Sequence, residues 1–125
     1  MRYRALLVDD EPSILRTLRA ILENHKFQVE TAPTAVAARK SLDGGSFDLV
    51  ITDMSMETED AGYRVVYAAR NQPNPPATLI LTAFPTLAAD WEAQGADAIV
   101  IKPTPIPELL AVIDGLVSRH LKKAA

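Results

Sequence analysis

The sequence predicts an α/β domain built on a doubly wound, five-stranded parallel sheet with helices on both faces. Two observations carry that prediction. Short apolar runs alternate with segments of helical period along the whole chain. Runs such as "YRALLV" and "TLILT" are nearly continuous, as expected of strands covered on both faces. Right-handed crossovers between parallel strands then distribute the helices over the two sides.

Each element follows in order. Residues 3–8 form the first strand. From Ser13, the spacing of Ile14, Leu15, Leu18, Ile21 and Leu22 marks one helix face, and Pro12 suits its first turn. "FQVET" alternates, so Phe27–Thr31 reads as a strand. Thr34 can cap a helix running through Leu42 and stopped by Gly44 and Gly45. "FDLVIT" (47–52) is the third strand, and Gly62–Asn71 a helix with Val65, Val66 and Ala69 inward. "QPNPPA" is a turn before the strand "TLILT" (78–82). Thr86–Gln94 reads as a short helix ended by Gly95, and "AIVI" (98–101) as the last strand. Pro105 and Pro107 open a final helix carrying Leu109, Leu110, Ile113, Leu116 and Val117, with "LKKAA" as a frayed tail. The expectation is five strands and five helices.

Composition narrows the function classes. A chain of 125 residues, 48% apolar and 23% charged, suits one globular domain over residues 1–125. The net charge of -3, with Lys and Arg scattered, disfavours direct nucleic-acid binding, which needs clustered cations. The lack of cysteine excludes disulfides, thiolate nucleophiles and Cys-ligated zinc. No apolar run approaches the roughly 18 residues of a membrane span, and no charged-then-apolar leader precedes the first strand. The expectation is a soluble, cytoplasmic protein without an effector domain.

Ligands of such sheets bind beyond the carboxyl ends of the strands. Those positions hold Asp9 and Asp10, Thr31, Asp53, Thr82 and Lys102. Clustered carboxylates with few other donors suit hydrated Mg²⁺, and an ion there leaves room for a phosphoryl group. Thr82 can donate to a phosphoryl oxygen and Lys102 can pair with it. Asp53, placed centrally, can serve as the nucleophile that forms an acyl phosphate. Taken singly, each residue has a plainer reading: Asp53 as a turn residue, "DDE" as acids favoured at a helix start, Thr82 as a β-former, Lys102–Pro103 as a turn. The combination is stronger, because all lie at carboxyl strand ends.

With these residues in place, the chain resembles the receiver domains of bacterial two-component response regulators (CheY-like). The resemblance runs through "ALLVDDEPSIL", "FDLVITD", "LILTA" and "GADAIVIKP" to the last helix. It implies a flavodoxin-like sheet of order 2-1-3-4-5, with Asp53 as phosphoacceptor. It implies Asp10, Asp53 and the Ser55 carbonyl as direct Mg²⁺ ligands, Asp9 acting mainly through water, and Mn²⁺ able to substitute. Thr82 and Lys102 would bind the phosphoryl group, with Lys102–Pro103 a cis peptide. The donor would be a phosphohistidine on a sensor histidine kinase or phosphotransfer protein. The surface of the last two helices and fifth strand would switch, toward a downstream protein partner or a second copy.

Three positions depart from the family pattern. Met56 matches, but Glu57 replaces the usual proline, and "TEDAG" carries one extra residue before Gly62, predicting a longer and less stiff loop whose acids Glu57, Glu59 and Asp60 are solvated or act as a modulating field. Ile99 stands where an aromatic switch residue is usual. Phe84 lies where family side chains flank the water path to the phosphoryl group, with simple packing as the competing reading. Glu57 and Ile99 motivate a second hypothesis, an atypical receiver acting as a phosphorylation-independent interaction module. A phosphatase with an aspartyl nucleophile is disfavoured, because Ser55 stands where such enzymes commonly carry a second Asp. His25 and His120 fall away from the strand-end crevice.

Overall fold

In the computed structural model, which describes residues 2–124, the apolar runs become β1 (Tyr3–Val8), β2 (Phe27–Ala32), β3 (Leu49–Thr52), β4 (Ala77–Thr82) and β5 (Ala98–Ile101). All pair in parallel in the order β2-β1-β3-β4-β5. Every residue of β3 and β4 is buried, because these strands lie inside the sheet with both faces covered. The edge strands differ. β2 mixes buried and exposed positions, and β5 ends on the half-exposed Ile101.

The helices are α1 (Pro12–Asn24), α2 (Ala35–Gly44), α3 (Ala61–Arg70) and α4 (Ile106–Ala124). Pro12 occupies the first turn of α1, where it forfeits no hydrogen bond. Thr34 caps α2, its Oγ1 accepting from the Ala37 amide at 3.0 Å. From α1 and α4, Leu22, Leu109, Ile113 and Leu116 pack with Leu7, Ile51 and Leu79 on one face. Across the sheet, Ala38, Leu42, Val65 and Ala69 of α2 and α3 pack with Leu6, Val8 and Val50. A smaller cluster of Met54, Val66, Ile80, Ala88 and Ala96 extends that second face toward β5, with Trp91 and Ile99 partly buried against it.

Two expectations need correction. The helix expected over Thr86–Gln94 is instead a succession of hydrogen-bonded turns, many closed from residue i+3 to residue i: Leu87 to Phe84, Ala88 to Pro85, Trp91 to Ala88. A short helix is stable only when packing compensates its nucleation. Between Pro85 and Gly95, only Ala88 is fully buried. The segment is tied down by α3 instead, the Tyr63 hydroxyl accepting from the Asp90 amide at 3.1 Å. The second correction is the tail. Residues 121–124 continue α4, and Ala125 lies outside the described residues.

Candidate functional site

Strand register brings the site together. Val8 pairs with Thr52, and Thr82 pairs with Ile101, so the residues after β1 and β3 emerge side by side and Lys102 arrives from the far side of β4. Each is fixed by one further ladder bond. The Asp9 amide donates to Ala32 O at 3.2 Å, the Asp53 amide to Val8 O at 2.9 Å, and the Lys102 amide to Thr82 O at 2.8 Å. The crevice lies where the strand order reverses between β1 and β3.

One carboxylate oxygen from each of Asp9, Asp10 and Asp53 lies within 4.8 Å of the others. Asp9 is buried and Asp10 exposed, with Asp53 between them. Lys102 Nζ stands 3.2 Å from Asp9 Oδ2 and 3.8 Å from Asp53 Oδ1. Burial pushes the Asp53 carboxyl above its ordinary value; the Lys102 ammonium and the Met54 N–H draw it down, and the Asp9 and Asp10 carboxylates push it further up. One ammonium does not balance three carboxylates. The uncompensated charge and the all-oxygen donor set fit a hard divalent cation such as Mg²⁺.

The remaining expected residues sit around this centre. The Thr82 hydroxyl oxygen accepts from the Phe84 amide at 3.0 Å, which engages a lone pair and leaves the hydroxyl proton to be donated. The Lys102–Pro103 bond is cis, as the resemblance implies. Ser55 donates its hydroxyl to Glu59 O at 3.0 Å. Phe84 is 60% exposed, so its ring lies outside the core. Ile99 packs sideways against the cluster around Ile80 and Met54. His25 pairs with Asp114 and His120 with Asp48, both away from the acidic centre.

Glu57 departs from the solvated one of its two expected states. Its carboxylate is not simply solvated: Oε1 accepts from the Ala35 amide at 2.9 Å and Oε2 from the Val36 amide at 3.3 Å. Desolvation would raise its pKa, but the N–H groups of Ala35, Glu57 and Val36 outweigh it, helped by Arg64, and hold the group below the usual glutamate value. The only sequence signal was the acid-free first turn of α2, an anion-seeking helix end without its own anion. Gly62 was likewise underread. A Cβ there would stand 2.6 Å from Asp53 O and 2.8 Å from Met54 Cα, so α3 starts directly against the backbone of Asp53 and Met54.

This fold and centre define a doubly wound α/β protein with an acidic, lysine-paired crevice at its topological switch point. The chain belongs to the response regulator receiver domain family, whose profile matches residues 5–114. It is 31% identical to the transcriptional regulatory protein BasR of Escherichia coli, over 94% of this chain and 53% of BasR. The chain spans about half the length of that curated relative. Among solved structures, a CheY-like receiver domain protein from Methanospirillum hungatei superposes with a TM-score of 0.89 at 25% identity, covering 98% of this chain and 99% of that one. The response regulator TrrA from Thermotoga maritima, solved in complex with Mg²⁺ and BeF, gives a TM-score of 0.81 at 31% identity, covering 93% and 99%. Receiver domains bind Mg²⁺ at an acidic pocket and interact with histidine kinases. None of the helices among the described residues is long and apolar enough to cross a membrane.

Proposed function

We propose that residues 1–125 act as one cytoplasmic receiver unit in which Asp53 accepts a phosphoryl group from a phosphohistidine on a sensor histidine kinase or phosphotransfer protein. The observation that carries this reading is the convergence of Asp9, Asp10, Asp53 and Lys102 at one crevice. An Asp53 carboxylate oxygen attacks phosphorus as the bond to the donor imidazole breaks. The bond electrons return to the imidazole nitrogen, leaving an acyl phosphate on Asp53. Lys102 turns from Asp9 and Asp53 to pair with a phosphoryl oxygen, and Thr82 donates its hydroxyl proton to another. Mg²⁺, or Mn²⁺ in its place, would be held by Asp10, Asp53 and the Ser55 carbonyl, and through water by Asp9, and when bound it neutralises charge on the transferring group. Phe84, exposed beside Thr82, shields the product from water.

Thr82 and Lys102 flank the turn segment, so capture of the phosphoryl group biases the surface formed by that segment, β5 and α4. That surface then recruits a downstream protein or a second copy. Incubation with acetyl phosphate should add one phosphoryl group only with Mg²⁺ present, and Asp53→Asn should take up none. Equal labelling of Asp53→Asn would refute the assignment. A second reading, a phosphorylation-independent interaction module, is favoured by Ile99, whose branched side chain packed against the Ile80 cluster cannot alternate as an aromatic residue does. It predicts partner binding unchanged by titration with beryllofluoride.

A further inference from the structure

The loop between Asp53 and α3 is anchored at its base, where Met54 is buried and its carbonyl accepts from the Gly62 amide at 2.7 Å. Inside the loop, Met56 N donates to Thr58 O at 3.0 Å and the Ser55 hydroxyl to Glu59 O. These bonds close the loop on itself, and the partly buried Met56 packs against the cluster shared by α2 and α3. Glu57 adds the polar tie. Its two oxygens take the Ala35 and Val36 amides, while Thr34 takes that of Ala37. No residue in the first turn of α2 is acidic, so the carboxylate from a distant loop supplies the anion that the helix end attracts.

We propose that Glu57 is a positioning residue for Asp53, clasping the loop to α2 so that the ligand-bearing backbone around Ser55 and the first turn of α2 move together. The inference rests on the reading of Asp53 as phosphoacceptor and adds a route by which its state reaches α2. The residues from Asp53 to Glu57 form one short span, fixed at the buried Met54, at Met56 against the α2 and α3 cluster, and at the clasp. A shift of the Ser55 carbonyl is therefore resisted by the Glu57 bonds and passed through them to the start of α2. Coupling of this kind is reciprocal: what binds at Asp53 must also tighten the start of α2.

Amide hydrogen exchange and binding of beryllofluoride with Mg²⁺ test this on the whole chain. Glu57 is exposed, so its replacement leaves the core intact. In Glu57→Ala, exchange at Ala35 and Val36 should accelerate about fivefold or more, the equivalent of one modest hydrogen bond. Beryllofluoride affinity should fall about threefold or more by the same coupling. Glu57→Gln, which keeps one acceptor oxygen, should recover most of the Ala35 protection and of the affinity. In the wild type, beryllofluoride should slow exchange at both amides, and in Glu57→Ala it should not. Unchanged exchange in Glu57→Ala overturns the clasp. Faster exchange with unchanged affinity reduces Glu57 to a helix cap and overturns the positioning role. Failure of the phosphoacceptor reading would show separately, as Asp53→Asn binding beryllofluoride like the wild type.

Discussion

The segments that leave β3 and β4 at the carboxyl edge, residues 53–60 and 83–97, hold their shapes by opposite means. The first lacks a stiffening proline, yet hydrogen bonds hold it at base, middle and tip: Gly62 to Met54 through the backbone, Ser55 to Glu59 and Glu57 to α2 through side chains. The second has several good helix formers but offers the sheet little apolar surface, and it settles into turns over Ala88 and Trp91. Local propensity therefore misleads in both directions. A loop is as rigid as the acceptors it finds, and a helix forms where it has a face to bury.

The comparison is broken most severely at Gly62. Gly62→Ala forces a Cβ against the carbonyl of Asp53 and the backbone of Met54, so stability should fall by about 2–3 kcal/mol in urea unfolding and phosphorylation should be lost with it. A fully stable Gly62→Ala protein would show that the loop base is yielding.

Asp53→Asn should act in the other direction and raise the melting temperature in metal-free buffer. Because the folded-state pKa of Asp53 lies above its unfolded value, ionisation costs stability. The favourable contribution is complete below the ordinary value of 3.8 and is lost as pH rises through the folded value. The advantage of Asp53→Asn should thus be present at pH 7, vanish in strong acid, and shrink when Mg²⁺ binds the wild type. Melting curves that coincide at pH 7 without metal would remove the electrostatic strain assigned to the centre.

A smaller effect is expected at Glu57. Glu57→Ala should cost about 0.5–1 kcal/mol, as for other exposed helix-end anions. Its pKa is lowered in the folded chain, so this contribution is present above the ordinary value of 4.5 and is lost as pH falls through the lower folded value. Added salt should weaken it, and a loss insensitive to both pH and salt would point to packing instead.

Phe84→Ala should change stability least, by under about 0.5 kcal/mol, since the ring is already exposed. Its consequence should appear in the lifetime of the phosphorylated protein, which shortens if the ring excludes water. Equal lifetimes would deny it that role.

The five strands and the helices α1 to α4 were legible in the chain because burial on one or two faces writes a period into the sequence. Val65, Val66 and Ala69 turn inward as their spacing predicts, and Ile113, Leu116 and Val117 do the same in α4. Of the site, Asp9, Asp10, Asp53 and Lys102 could be gathered in advance because they follow apolar runs, and parallel strands align their carboxyl ends. Glu57 could not be placed, because nothing local to "METEDAG" records that the Ala35 and Val36 amides lie within its reach. The turn segment was misread because Ala, Glu and Gln are helix formers whether or not a surface waits for them.

Apolar periodicity and strand-end chemistry by themselves determined a doubly wound sheet with an acidic centre at one edge. Only the tertiary structure decided how the loops around that centre are held. Strand patterns report burial, which each residue carries in its own hydrophobicity. Loop geometry depends on which distant donors and acceptors come within 3 Å or so, a property of the folded arrangement and not of any one segment.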